Sequence, residues 1–207
     1  MNRFTAVAMA ALLAVVASAC GPSGSSPAGS QAALATATPT IEPTPATSGQ
    51  PSLPSSAKDL EALIPNKVGK VTLQKASMSG NEFVGSGNAT KEAQDFLDAL
   101  GVSSQDVSVA IGFGADTGTG EALAVLLFRA NGASSDRLLS LFKAATDKER
   151  DTPLDWQSAD LGGKHVEKAT DPEQGNSTLY LYATGDLLVF VTAGNDQKAA
   201  EALSALP

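Results

Sequence analysis

The sequence has a single cysteine, Cys20, and a single histidine, His165. Because no cysteine follows Cys20, the rest of the chain cannot form an intrachain disulfide, and its fold depends on packing. Most protein zinc sites take several histidine or cysteine ligands, so one residue of each kind argues against such a site. The residue pattern therefore predicts no metal and no cofactor.

Basic residues are also in deficit, with 14 Lys and Arg against 22 Asp and Glu and a formal net charge of -8 at pH 7. Nucleic acids and anionic lipid headgroups attract proteins through clusters of positive charge. A chain with this excess of acidic residues is not expected to bind nucleic acid or to adhere to a membrane through a basic patch.

Residues 1–19 combine Arg3 with an uncharged run from Phe4 to Ala19. A spanning helix needs about 20 apolar residues, and this run is shorter and is soon followed by Pro22. A basic start, an apolar middle and small residues at the end are typical of a secretory signal peptide.

The run closes with residues 17–20, Ala-Ser-Ala-Cys, which resemble the lipobox of bacterial lipoproteins, although Ala17 stands where leucine is usual. The resemblance covers residues 1–20 only. It implies cleavage before Cys20 and a diacylated thiol that anchors the protein in the cell membrane or the outer membrane, facing the extracytoplasmic side. Each buried methylene contributes about 0.8 kcal/mol, so two or more acyl chains hold firmly. An ordinary signal peptide is the alternative.

The following segment, residues 20–57, is rich in Pro, Ser, Thr and Ala and has few large apolar side chains. Such a segment cannot bury enough apolar surface to offset the entropy of ordering, so the composition predicts a disordered tether after the lipidated cysteine. Residues 58–207 have the length and apolar content of one globular domain.

Apolar periodicity within this domain predicts alternating helices and strands. Helical spacing occurs near residues 60–64, 90–100, 135–145 and 195–206. Strand alternation or short apolar runs occur at residues 71–73, 107–113, 122–128, 179–181 and 187–191, and residues 183–186 predict a hairpin turn.

Residues 68–77 align without a gap on residues 161–170, with glycine, lysine and alanine in common. The match predicts a duplicated α-β-β-β unit with repeats 58–131 and 136–206, and a chance match is the alternative. The fold class that follows is α+β, with a largely antiparallel sheet of roughly six to eight strands and helices packed on one face.

Three motifs match parts of catalytic sites, but none has its companions. Residues 116–118, Asp-Thr-Gly, match the aspartic protease triplet, yet those enzymes need two such carboxylates and only one copy occurs. Residues 55–58 and 140–143 both satisfy Ser-x-x-Lys without the other motifs of penicillin-binding proteins. His165 has no nucleophile motif placed to meet it. The sequence therefore predicts no catalytic residue.

Aromatic side chains are scarce, with one tryptophan, Trp156, and two tyrosines, Tyr180 and Tyr182. The tyrosines share one face of a predicted strand. An exposed aromatic face would be able to bind a ligand, so these three residues are the candidate binding residues. Packing of the tyrosines beneath a helix is the alternative.

Three functions remain open. The first is a membrane-anchored extracytoplasmic protein with a non-catalytic domain that binds an unknown protein or small molecule. The second is a carrier of lipid or another apolar molecule, which would need a cleft between the sheet and the helices. The third is a hydrolase of unrecognised type that uses Asp116 or His165. The side chains that would line the carrier's cleft are Phe96, Phe128, Phe142 and Phe190.

Overall fold

A computed structural model describes residues 56–85, 90–148, 150–172 and 177–207. The predicted signal peptide, the predicted lipid anchor Cys20 and residues 20–55 of the predicted tether lie outside the described residues. Within the described parts of the chain, no helix is long and apolar enough to cross a membrane.

The described chain begins with a short helix and a small hairpin that precede the first strands of the main sheet. A 3-10 turn at Ser104–Asp106 leads into the first long hairpin. The elements of this half are α1 (Lys58–Glu61), β1 (Lys67–Val68), β2 (Val71–Thr72), β3 (Gln74–Ser79), α2 (Gly80–Gly85), α3 (Thr90–Leu100), β4 (Val107–Ala115) and β5 (Ala122–Ala130).

The second half places four strands between two helices. The predicted turn between the last two strands is confirmed, since Thr184 pairs with Leu187 across it. The elements are α4 (Ser135–Lys148), β6 (Gln157–Leu161), β7 (Lys164–Asp171), β8 (Ser177–Thr184), β9 (Leu187–Ala193) and α5 (Asp196–Ser204).

Seven strands form one sheet in the order β3-β4-β5-β9-β8-β7-β6, and every neighbouring pair is antiparallel. Strands β1 and β2 form a separate two-stranded sheet. The predicted α+β class with a largely antiparallel sheet is confirmed.

Helices cover both faces of the sheet, which differs from the predicted placement on one face. Helices α1 and α5 pack on the face that carries Val125 and Val189, here called the α5 face. Helices α3 and α4 pack on the face that carries Phe128 and Phe190, here called the α4 face. The central strands β5 and β9 are apolar at odd and even positions, so both of their faces must be removed from water.

The two segments that match in sequence form corresponding hairpins. In the first, Val68 pairs with Val71 across a two-residue turn, and in the second, Leu161 pairs with Lys164 in the same way. The strand order is also symmetric about the central pair, with β3-β4-β5 on one side and β7-β8-β9 on the other. This symmetry supports the predicted duplication, which remains a prediction.

Candidate functional site

Tyr180 and Tyr182 lie on β8 beneath α5, with 0 % and 5 % of their surface exposed. The Tyr180 hydroxyl donates to Asp196 Oδ1 at 2.7 Å, and the Tyr182 hydroxyl donates to a backbone oxygen of Pro207. Burial raises the pKa of Tyr182 to about 12, and burial together with the Asp196 hydrogen bond raises the pKa of Tyr180. Both tyrosines are therefore core residues that hold the C-terminal helix, as in the alternative that packs them beneath a helix.

Asp196 is the first residue of α5 and joins that helix to two strands. Lys168 Nζ on β7 donates to both of its carboxylate oxygens, at 2.8 and 2.7 Å, and Tyr180 supplies the third contact. The Lys168 hydrogen bond, followed by that of Tyr180, lowers the pKa of Asp196. Asn195 caps the helix by accepting from the backbone N–H of Lys198 at 2.9 Å. This cluster is a structural clamp.

Trp156 lies on the opposite face of the sheet from the two tyrosines. Its indole packs against the apolar cluster of the α4 face and remains partly exposed. The indole N–H donates to Asp147 Oδ1 at 3.3 Å, and Lys143 Nζ lies 5.4 Å from the ring centroid. The three candidate aromatic residues therefore do not form one site, and only Trp156 presents part of its ring to solvent.

Polar side chains continue from Trp156 along β6 and β7. Ser158 Oγ donates to Glu167 Oε1 at 2.6 Å, and Lys143 Nζ donates to Glu167 Oε2 at 2.5 Å. The Lys143 hydrogen bond, then that of Ser158, lowers the pKa of Glu167. We call Trp156, Lys143, Ser158 and Glu167 the Trp156 surface.

The sequence shows no spacing that unites the members of the Trp156 surface. Ser158 and Glu167 meet because they are opposite each other in the β6–β7 register. Lys143 reaches them because α4 packs across this face of the sheet. The Trp156 surface combines an aromatic ring with hydrogen-bond donors and acceptors. Such groups are common where proteins bind ligands non-covalently.

Asp116 forms the turn between β4 and β5 and is 6 % exposed. Its Oδ1 accepts from the backbone N–H of Gly118 at 2.8 Å and of Thr119 at 3.3 Å. The Gly118 hydrogen bond is the main cause that lowers the pKa of Asp116. Lys198 Nζ lies 3.7 Å from the other oxygen. These contacts make Asp116 a turn-stabilising carboxylate whose Oδ1 already accepts two backbone hydrogen bonds.

His165 Nδ1 lies 3.0 Å from Asp160 Oδ1 on the β6–β7 hairpin. Their side chains are 72 % and 87 % exposed, so the pair lies on an open surface and not in a pocket. Lys143, the lysine of the second Ser-x-x-Lys match, is held by Glu167. Among the described residues, no group of three or more His, Cys, Asp and Glu side chains is arranged to hold a metal ion.

The four phenylalanines that would line a carrier's cleft are all buried on the α4 face. Phe96 packs edge-on against Phe128 with 5.7 Å between the ring centroids, and Phe142 contacts Phe190 at 5.5 Å. Aromatic rings at these separations pack directly against each other. Their packing counts against a ligand cleft at these residues.

No protein-family model, curated protein or solved structure significantly matches the chain.

Proposed function

We propose that the protein is a membrane-anchored extracytoplasmic lipoprotein whose folded domain binds a ligand or a partner protein without catalysing a reaction. The observation that carries the anchor is the position of Cys20, the only thiol in the sequence, immediately after an uncharged apolar run. A thiol at that position is the acceptor that lipidation requires, and acylation supplies stable attachment to a bilayer.

The anchor is tested by the intact mass of the N-terminal peptide after detergent extraction from a bacterial host. We expect a diacylglyceryl or triacyl adduct on Cys20 and loss of residues 1–19. Replacement Cys20→Ser removes the acceptor, so the variant is expected to lack the acyl mass. An unmodified cysteine in the wild-type protein would contradict the proposal.

The Trp156 surface is the part of the described domain that best supports the binding role. Trp156 is the only tryptophan of the chain, so its fluorescence reports directly on this surface. Its partly exposed ring offers apolar contact, while Ser158 and Glu167 offer a hydroxyl and a carboxylate beside it. Aromatic anchors with adjacent polar groups contribute most of the free energy at many binding surfaces.

The binding role is tested by capture of envelope components on the purified protein, with recovered molecules identified by mass spectrometry. We expect Trp156→Ala to reduce recovery by about tenfold or more, the effect of losing one strong anchor. Gln197→Ala, an exposed change on the first turn of α5, is the matched control and should retain binding. If the Trp156→Ala and Gln197→Ala variants recover equal amounts of bound molecules, the binding surface does not include Trp156.

A further inference from the structure

The loop that carries Trp156, residues 150–156, has little apolar packing of its own. Residues 151–153 and 155 are exposed, whereas Leu154 and Trp156 contact the apolar cluster of the α4 face. A loop with few buried apolar groups opens easily unless polar contacts hold it closed. The hydrogen bonds and ion pairs of this loop therefore have a large part in holding the indole in place.

Asp147, in the last turn of α4, holds the end of this loop through its side chain. Its Oδ1 accepts from the backbone N–H of Leu154 at 3.1 Å and from the indole N–H of Trp156 at 3.3 Å. Its carbonyl accepts from the backbone N–H of Arg150 at 3.2 Å. Asp147 is thus bonded to the first residue of the loop, to a residue near its end and to the ring itself.

The start of the loop is held separately, by an ion pair with the sheet. Arg150 Nη2 donates to Asp171 Oδ2 on β7 at 2.6 Å, and the two side chains are 11 % and 0 % exposed. Removing one partner of a pair this well buried is strongly destabilising. Strand β7 also supplies Glu167 to the Trp156 surface, so one strand holds both the loop and the carboxylate of that surface.

We propose that Asp147 is a positioning residue of the Trp156 surface, which sets the indole beside Lys143 before a ligand arrives. This proposal rests on the proposed binding role of Trp156. A side chain that is already ordered loses no further freedom on binding, whereas ordering one free side chain weakens binding by about two- to tenfold. The contact with Asp147 also uses the only hydrogen-bond donor of the ring, so a ligand meets the apolar part of the indole.

Quenching of Trp156 fluorescence by acrylamide tests the position of the indole in the full chain, because the sequence has no other tryptophan. We expect Asp147→Ala to raise the quenching constant above that of the parent. Asp147→Asn keeps an acceptor oxygen and should restore the parent value. Asp151→Ala is the matched control, because it removes a carboxylate from an exposed position of the same loop. Arg150 still holds the loop in each variant, so circular dichroism should report the parent fold.

Capture of envelope components by the same variants tests the effect on binding. We expect Asp147→Ala to reduce recovery by about two- to tenfold, while Asp147→Asn and Asp151→Ala retain it. Equal quenching constants for Asp147→Ala and Asp151→Ala would overturn the positioning role. A loss of recovery in Trp156→Ala that Asp147→Ala does not share would also overturn it. If Trp156→Ala loses no recovery, the proposed binding surface itself is wrong, and the positioning role is wrong with it.

Discussion

At the residue scale, the Tyr180 hydroxyl lies between the sheet and the first turn of α5, where it donates to Asp196. Hydrogen bonds to charged groups contribute about 1.5–3 kcal/mol. Asp196 keeps its contact with Lys168 and is half exposed, so we expect Tyr180→Phe to lower the free energy of unfolding by about 1–2 kcal/mol. Urea denaturation measures the change.

Tyr182→Phe is the comparison variant for that experiment, because its hydroxyl donates to a backbone oxygen of Pro207, the exposed last residue of the sequence, and not to the first turn of α5. We expect a smaller loss, of about 1 kcal/mol or less. If Tyr182→Phe costs as much as Tyr180→Phe, the hydrogen bond to Asp196 contributes no more than one to the chain end, and the clamp is wrong.

The same clamp predicts a dependence of stability on pH. The pKa of Asp196 is lowered in the folded chain because Lys168 and Tyr180 donate to its carboxylate. A carboxyl group of this kind contributes stability above its ordinary pKa of about 3.9 and loses it as the pH falls through the lower folded value. We therefore expect the urea midpoint to decrease between about pH 5 and pH 3.

Asp196→Asn should flatten part of that decrease, and Glu167, whose pKa is lowered by Lys143, should account for another part. Asp151→Asn, in an exposed loop, is the control and should leave the pH profile unchanged. Identical profiles for the Asp196 variant and the parent would show that the clamp does not couple folding to protonation.

At the scale of elements, the β6–β7 hairpin docks on α5 through a glycine. Gly162 has φ 59°, and a β-carbon there would lie 2.6 Å from the Ala200 carbonyl oxygen and 2.8 Å from the Ser204 nitrogen. We expect Gly162→Ala to cost about 2–5 kcal/mol, the sum of a left-handed backbone and an overpacked contact.

Gly163→Ala separates those two causes. Gly163 has φ 78°, but no atom lies within 4 Å of the position of a β-carbon. Only the backbone cost of about 1–2 kcal/mol is expected. If Gly162→Ala and Gly163→Ala lower the thermal unfolding midpoint equally, the contact of Gly162 with α5 does not contribute to stability.

Helices and strands can be predicted from the sequence where burial requires a regular pattern of apolar residues. They cannot be predicted where no such pattern is required. Strands β5 and β9 are buried on both faces, and their continuous apolar runs predict them correctly. Strand β6, Gln157–Leu161, is an edge strand with three exposed residues, and its only apolar residues are Ala159 and Leu161, too few to predict a strand. Its existence depends on backbone pairing with β7, and periodicity cannot detect that pairing.

At the scale of the whole molecule, α1 and the turn that follows it, residues 58–64, belong to the core and not to the preceding segment. Leu60 and Ile64 are 0 % and 1 % exposed and contribute to the apolar cluster of the α5 face. A chain shortened to begin at Ser56 retains both residues, so we expect its free energy of unfolding to equal that of the longer chain.

A chain shortened to begin at Pro65 loses both side chains and should be less stable by about 3–6 kcal/mol. Urea denaturation of the two shortened chains gives the difference directly. If the chain beginning at Pro65 is as stable as the one beginning at Ser56, α1 is dispensable and the described packing of Leu60 is without consequence.

The sequence alone indicates the α+β class, most of the helices and strands, and the impossibility of intrachain disulfides after Cys20. These conclusions depend on local periodicity and on residue counts, which need no knowledge of contacts. The predicted anchor at Cys20 depends on the sequence in the same way and stays a prediction. The lone Asp-Thr-Gly triplet has no second copy in the sequence, and in the structure Asp116 stabilises the turn between β4 and β5.

Only the tertiary structure decided which side chains meet. It placed helices on both faces, buried Tyr180 under α5, and set Trp156 beside Lys143 on the other side of the sheet. It also left β6 at an edge while closing the edge at β3. Each of these outcomes depends on strand order and register between distant segments, and a one-residue shift in register moves every side chain of a strand to the opposite face.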